Sequence, residues 1–143
     1  MKTTGYLSSL WLILATGTGI VLAGCYGEGL ESQTQWPGPL DEGRAAARYH
    51  VERACRGYDG KQGVFQGTFA PNEERYHCEP YDAVTSFVFK VKNLNSEQSF
   101  DLKDDDCAFR LENEINGCDQ GGASEVAGWW FSSDPQPMSN CGF

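Results

Sequence analysis

Six cysteines constrain this chain more than any other feature: Cys25, Cys55, Cys78, Cys107, Cys118 and Cys141, spread over its length downstream of an apolar leader. An even set of cysteines in a short exported chain reads as a disulfide framework, because an oxidising compartment pairs thiols and a small core needs covalent staples. Three bridges are expected, each restricting the unfolded chain by about 2–4 kcal/mol. The number of cysteines leaves the pairing open. Their spacings match no zinc pattern.

The leader supports export. Lys2 is followed by an uncharged apolar run over residues 6–22, and Val21-Leu22-Ala23 supplies the small exit that a signal peptidase reads. The expectation is a signal peptide over 1–23, a single domain over 24–143, and a secreted, extracellular protein with no membrane contact after cleavage. The run is shorter than the roughly 20 residues of a membrane span and carries Ser, Thr and Gly. Leu22-Ala23-Gly24-Cys25 also reads as a bacterial lipidation box. Lipidating Cys25 would strand an odd set of cysteines, so the disulfide reading is preferred.

The chain has 11 basic and 20 acidic residues, a net charge of −9, and loss of Lys2 would make it −10. No basic cluster stands out, so a nucleic-acid partner, whose binding rests on phosphate neutralisation, is not expected. The negative charge serves solubility. No Asn-X-Ser/Thr sequon occurs.

The pattern after the leader predicts an α+β domain. Residues 24–40 read as an irregular arm, with Trp36-Pro37-Gly38-Pro39 unsuited to helix or central strand. Asp41 offers an N-cap for a helix over 42–55, with Ala47, Val51, Ala54 and Tyr58 at helical spacing and Gly57 as its stop. A strand is expected within 63–70, and a polar loop over 71–75 leads to Tyr76 and Cys78. Residues 84–91 form the clearest strand, with Phe87, Phe89 and Val91 on one face and Val88, Lys90 and Lys92 on the other. Residues 99–102 are expected to return as its hairpin partner, with Phe100 and Leu102 on one face. A second helix over 105–116 carries Cys107, Leu111 and Ile115, and Gly128-Trp129-Trp130-Phe131 reads as a last strand. This order gives two main helices on an antiparallel sheet of three to four strands.

Few residues carry a chemical signature. Asp104, Asp105 and Asp106 lack the spacing of a Ca²⁺ loop and suit a helix start, so no metal or other cofactor is expected. His50 and His77, the only histidines, could make the acid–base pair of a small hydrolase such as a ribonuclease. Against that, His50 is expected to face solvent from its helix and His77 to lie in a loop. Trp129 and Trp130 must point to opposite faces of a strand. Trp129 shares its face with Phe131 and Trp130 takes the other; one of the two should be core, and both are if the helices sandwich the sheet. If the helices cover one face, Trp130 is exposed, and an indole beside Asp134 and Asn116 suits sugar binding: the ring covers C–H faces while carboxylate and amide take hydroxyls.

The second half has a recognisable arrangement: Asp106-Cys107, Leu111, Glu114-Ile115-Asn116-Gly117-Cys118, Gly121-Gly122, Gly128-Trp129, Phe131 and Asp134-Pro135. It resembles the fungal glycan-binding domain called "Y-three-like", typified by a mushroom lectin. Cys25-Tyr26, Ala54-Cys55, Cys78 and Phe89-Lys90-Val91-Lys92-Asn93 extend the resemblance over the first half. The end departs from the family pattern, with Gln136 for an Asn and no Gly before Cys141. The resemblance implies an αβα-type sandwich, secretion and carbohydrate binding without catalysis, with a glycan or glycoprotein as partner and a homodimer left open. The alternatives are a secreted effector or toxin that binds a host or competitor protein, and the small hydrolase.

Overall fold

In the computed structural model the described residues are 22–27, 34–137 and 141. Strand β1 (Leu22–Cys25) is followed by helix α1 (Glu42–Arg56), β2 (Thr68–Phe69), β3 (Glu74–Pro80) and β4 (Ser86–Asn93). Then come β5 (Phe100–Asp101), helix α2 (Asp104–Gly117), β6 (Gly122–Val126) and β7 (Trp129–Gln136). The main sheet has five antiparallel strands in the order β1-β6-β7-β4-β3, and β2 pairs with β5 as a separate ribbon. The protein is thus an α+β domain, stapled by bridges Cys25–Cys118, Cys55–Cys107 and Cys78–Cys141.

The core follows from strand alternation. Phe87, Phe89 and Val91 of β4 and Phe131 of β7 are all at most 2% exposed, and they pack in one cluster with Ala47, Val51 and Ala54 of α1 and Leu111 and Ile115 of α2. All the sheet residues in that cluster sit on one face, so both helices cover the same face. They are held together by the buried Cys55–Cys107 bridge. The layering is therefore helices on sheet, and among the described residues no helix covers the second face, where the resemblance implies helices on both sides. The apolar stripe of each helix finds a partner on only one sheet face, because Lys90, Lys92, Ser132 and Asp134 make the other face polar.

Other elements deviate from expectation for identifiable reasons. The sheet is wider than three to four strands because β1 and β6 add an edge. Gly122-Ala123-Ser124 has little strand propensity, and tertiary pairing with β7 overrides it. Residues 99–102 do not return against β4. Phe100 and Asp101 pair with Phe69 and Thr68 instead, because β7 and β3 occupy both edges of β4. Phe100 is consequently exposed while Leu102 is buried. Trp36 of the arm is buried, its indole 5.4 Å from the Phe87 ring and its Nε1 donating to the Cys118 carbonyl at 2.8 Å.

Asp41 makes no side-chain cap on α1; its carboxylate takes the Arg48 guanidinium instead. Gly57 ends that helix at φ 78°, where an added Cβ would lie 2.3 Å from the Lys61 carbonyl oxygen. The three aspartates occupy the first turn of α2, where its dipole favours anions. Asp104 accepts a bond from Gln66 Nε2 at 2.8 Å, and Asp105 pairs with Arg56.

The expected cleavage after Ala23 falls inside β1, and residues 1–21 lie outside the described ones. Gly24 and Cys25 would remain paired with Ala123 and Gly122, anchored by the Cys25–Cys118 bridge. Among the described residues no helix is long and apolar enough to cross a membrane.

Candidate functional site

The bare face of the main sheet forms an open cleft of about 660 Å³. Its floor is set by register. Tyr76 of β3, Lys90 of β4 and Ser132 of β7 lie side by side in one row, and Cys78, Val88 and Asp134 in the next. Trp130 lies opposite Lys92, one row further along. Tyr26, just after β1, reaches across and its hydroxyl lies 2.9 Å from Ser132 Oγ. The Cys78–Cys141 bridge places Cys141 at the edge of the same cleft.

The cleft therefore combines three aromatic side chains with polar groups. Tyr76 is 48% exposed, and Tyr26 and Trp130 are half-buried. The Gln136 amide donates to Asp134 Oδ2, which fixes the orientation of both side chains. Glu74 lies at the rim. Gly121 supports β7 from behind: at φ 79° an added Cβ would meet the Ser133 carbonyl oxygen at 2.3 Å. A concave surface with aromatic walls and a few oriented hydrogen-bonding groups is the usual form of a small-ligand site.

Of the sequence-expected trio, Trp130 and Asp134 share this cleft, and Trp129 packs on the other face, 5.1 Å edge-on from the Phe69 ring. Asn116 does not join them. It sits on α2, on the covered side, and its Oδ1 accepts from Arg48 Nη1 at 2.7 Å. Asn116 was expected beside Trp130, but the chain turns through Gly121 before entering the sheet. Tyr26 and Tyr76 were missed as site residues. Tyr76 becomes legible once Glu74–Pro80 is read with period two, which puts Tyr76 and Cys78 on one face.

A second cleft lies where α1 meets β3. His77 lies in β3, not in a loop, and with Glu79 it points to the helix-covered side at the sheet edge. His50 is turned toward them from α1, its side chain 24% exposed, rather than facing solvent. Glu79 Oε1 lies 3.1 Å from His77 Nε2 and 3.9 Å from His50 Nδ1. Burial holds the His50 imidazole below its ordinary pKa; Glu79 opposes this, and His77 and Arg53 reinforce it. The Arg53 guanidinium stacks 3.4 Å above the Tyr58 ring and donates to the Tyr49 hydroxyl at 2.8 Å. Among the described residues no group of three or more His, Cys, Asp or Glu is placed to hold a metal ion.

No protein-family model matches the chain, and no curated protein matches it.

Proposed function

We propose that this is a secreted carbohydrate-binding protein that takes a glycan, free or on a glycoprotein, in the bare-face cleft. The observation that carries the reading is the placement of both helices on one side, which leaves Trp130 with Tyr26 and Tyr76 in one concave polar surface. Sugar rings offer apolar C–H faces and a rim of hydroxyls. Aromatic rings cover the first, while Asp134 accepts and Gln136 donates and accepts at the second. The bond between Asp134 and Gln136 lowers the ordering cost of binding. Secretion is supported by the leader and the three disulfides. Of the large exposed apolar side chains, Leu40, Val84, Phe100 and Phe109 are scattered over separate elements, and Tyr49, Tyr58 and Val64 gather only at the cleft between α1 and β3. That favours a ligand-sized site over a protein-docking patch.

A glycan array followed by titration of the best ligand tests the reading. Trp130→Ala and Tyr76→Ala should each weaken binding by about 10-fold or more, the loss expected for one well-packed contact of about 1.4 kcal/mol, with little change in melting. Undiminished binding by both variants, or no glycan bound at all, would sink it.

A further inference from the structure

The cleft between α1 and β3 takes no part in the proposed glycan site, yet it gathers both histidines of the chain on one carboxylate. We propose that the His50–His77–Glu79 cleft is an acid–base site that cleaves single-stranded RNA by transesterification. The chemistry of the lining selects this reaction. Glycoside hydrolysis needs two flanking carboxyl groups, and Glu79 is the one carboxylate among the described residues that line the cleft. Among the described residues that line the cleft there is no serine, threonine or cysteine to attack a substrate. The nucleophile then comes with the substrate, and the ribose 2′-hydroxyl beside a phosphodiester is such a group.

The step balances without a co-reactant. The 2′-oxygen bonds to phosphorus as the bond from phosphorus to the 5′-oxygen breaks. His50 takes the proton of the 2′-hydroxyl, and His77 gives its proton to the departing 5′-oxygen. The products are a 2′,3′-cyclic phosphate and a free 5′-hydroxyl, and solvent exchange resets the two imidazoles. Burial lowers the pKa of His50, which favours the neutral form that a base needs. Glu79 fixes His77 through its Nε2 and leaves Nδ1 for the leaving group. Arg53, already held by Tyr49 and Tyr58, supplies a planar cation for the phosphate oxygens. Tyr49 is 55% exposed and offers a face on which a base can stack.

The net charge of −9 opposes tight binding of a long polynucleotide. The charges lining the cleft are different: Arg53 on α1 stands against Glu79 on β3, and Lys61 Nζ lies 5.8 Å from the ring of Tyr58, one of the lining residues. Short segments should therefore be engaged locally, with cleavage falling as salt rises.

The test incubates the oxidised protein with a short oligoribonucleotide and with its all-deoxy counterpart, and weighs the products. Cleavage to a cyclic phosphate is expected for the ribose form only, with a bell-shaped pH profile. His50→Asn and His77→Asn should each slow it by at least about 100-fold while melting like wild type, and Phe109→Ala on the exposed face of α2 should leave it unchanged. Absence of cleavage, cleavage of the deoxy strand, or an equal rate in the double histidine variant prepared in parallel would overturn the proposal. Should either asparagine variant fail to fold, Glu79→Gln gives a second reading, and an unaltered pH profile in it would also overturn the proposal.

Discussion

On the covered face of β4 and β7, Phe87, Phe89, Val91 and Phe131 have lost almost all contact with water. One residue along the same strands, Val88, Lys90, Trp130 and Asp134 face an open cleft. The two sets differ only in parity, and the backbone pairing that holds them is shared. The difference teaches that here a single register serves two purposes: one face spends its aromatics on stability, and the other displays them. A slip of one residue would exchange the two.

The largest expected effect breaks that comparison directly. Phe89→Ala removes a fully buried ring and should cost about 3–5 kcal/mol. Trp130→Ala, on the bare face, should cost under about 1 kcal/mol, and Trp129→Ala should fall between them because its ring meets Phe69 only partly buried. Denaturant unfolding of the three variants gives the order. If Trp130→Ala cost as much as Phe89→Ala, the bare face would be a second core.

The disulfides sharpen the same contrast. Cys55–Cys107 and Cys78–Cys141 span 52 and 63 residues, so loop-closure entropy alone gives them nearly equal stabilisation of about 4 kcal/mol. Their surroundings differ. Cys55 and Cys107 are each 1% exposed within the core, whereas Cys141 is half-buried at the cleft. Replacing the first pair by alanine should therefore cost more, since a cavity is added to the lost constraint. Replacing the second should weaken glycan binding while costing less in melting temperature. Equal losses in both measurements would mean that only chain entropy matters.

Much of this organisation was legible in the residues. The alternation of Phe87, Phe89 and Val91 against Val88, Lys90 and Lys92 gave the two faces of β4, and Ala47, Val51 and Ala54 gave the stripe of α1. The adjacent tryptophans could be assigned to opposite faces because strand geometry leaves no alternative. What could not be read depended on contacts distant in sequence. β6 is built of Gly122, Ala123 and Ser124, whose strand character comes from pairing with β7 and β1. Asn116 was expected beside Trp130, but the turn through Gly121 separates them. His50 and His77 are 27 positions apart (77 − 50), and only the packing of α1 against the β3 edge brings both to Glu79.

The smallest effect concerns the outer side of the helix layer, where the covered face itself meets water. Glu112 of α2 and Glu52 of α1 act on one another's ionisation across the helix seam. Burial, then the hydrogen bond and charge of Glu52, push the Glu112 carboxyl up to about 7, with Arg48 and Arg56 opposing. The same bond, ahead of that from Arg56, pulls Glu52 down. A carboxyl whose folded pKa is raised stabilises the fold fully below its unfolded value, and this contribution is lost as pH rises through about 7. Thermal stability should therefore decline between pH 5 and pH 8, by well under about 1 kcal/mol from this pair because solvent screens it. Glu114, nine-tenths buried and likewise raised by burial, adds in the same direction. His50, whose pKa is lowered, acts oppositely, with stability lost as pH falls below its ordinary value. Comparing wild type with Glu112→Gln at each pH cancels the contributions of Glu114 and His50. The glutamine keeps a donor for Glu52 and cannot ionise. Its melting temperature should match wild type at pH 5 and exceed it at pH 8. A constant difference across that range would show that the two glutamates ionise independently and that the helix seam is as solvated as the bare face of the sheet.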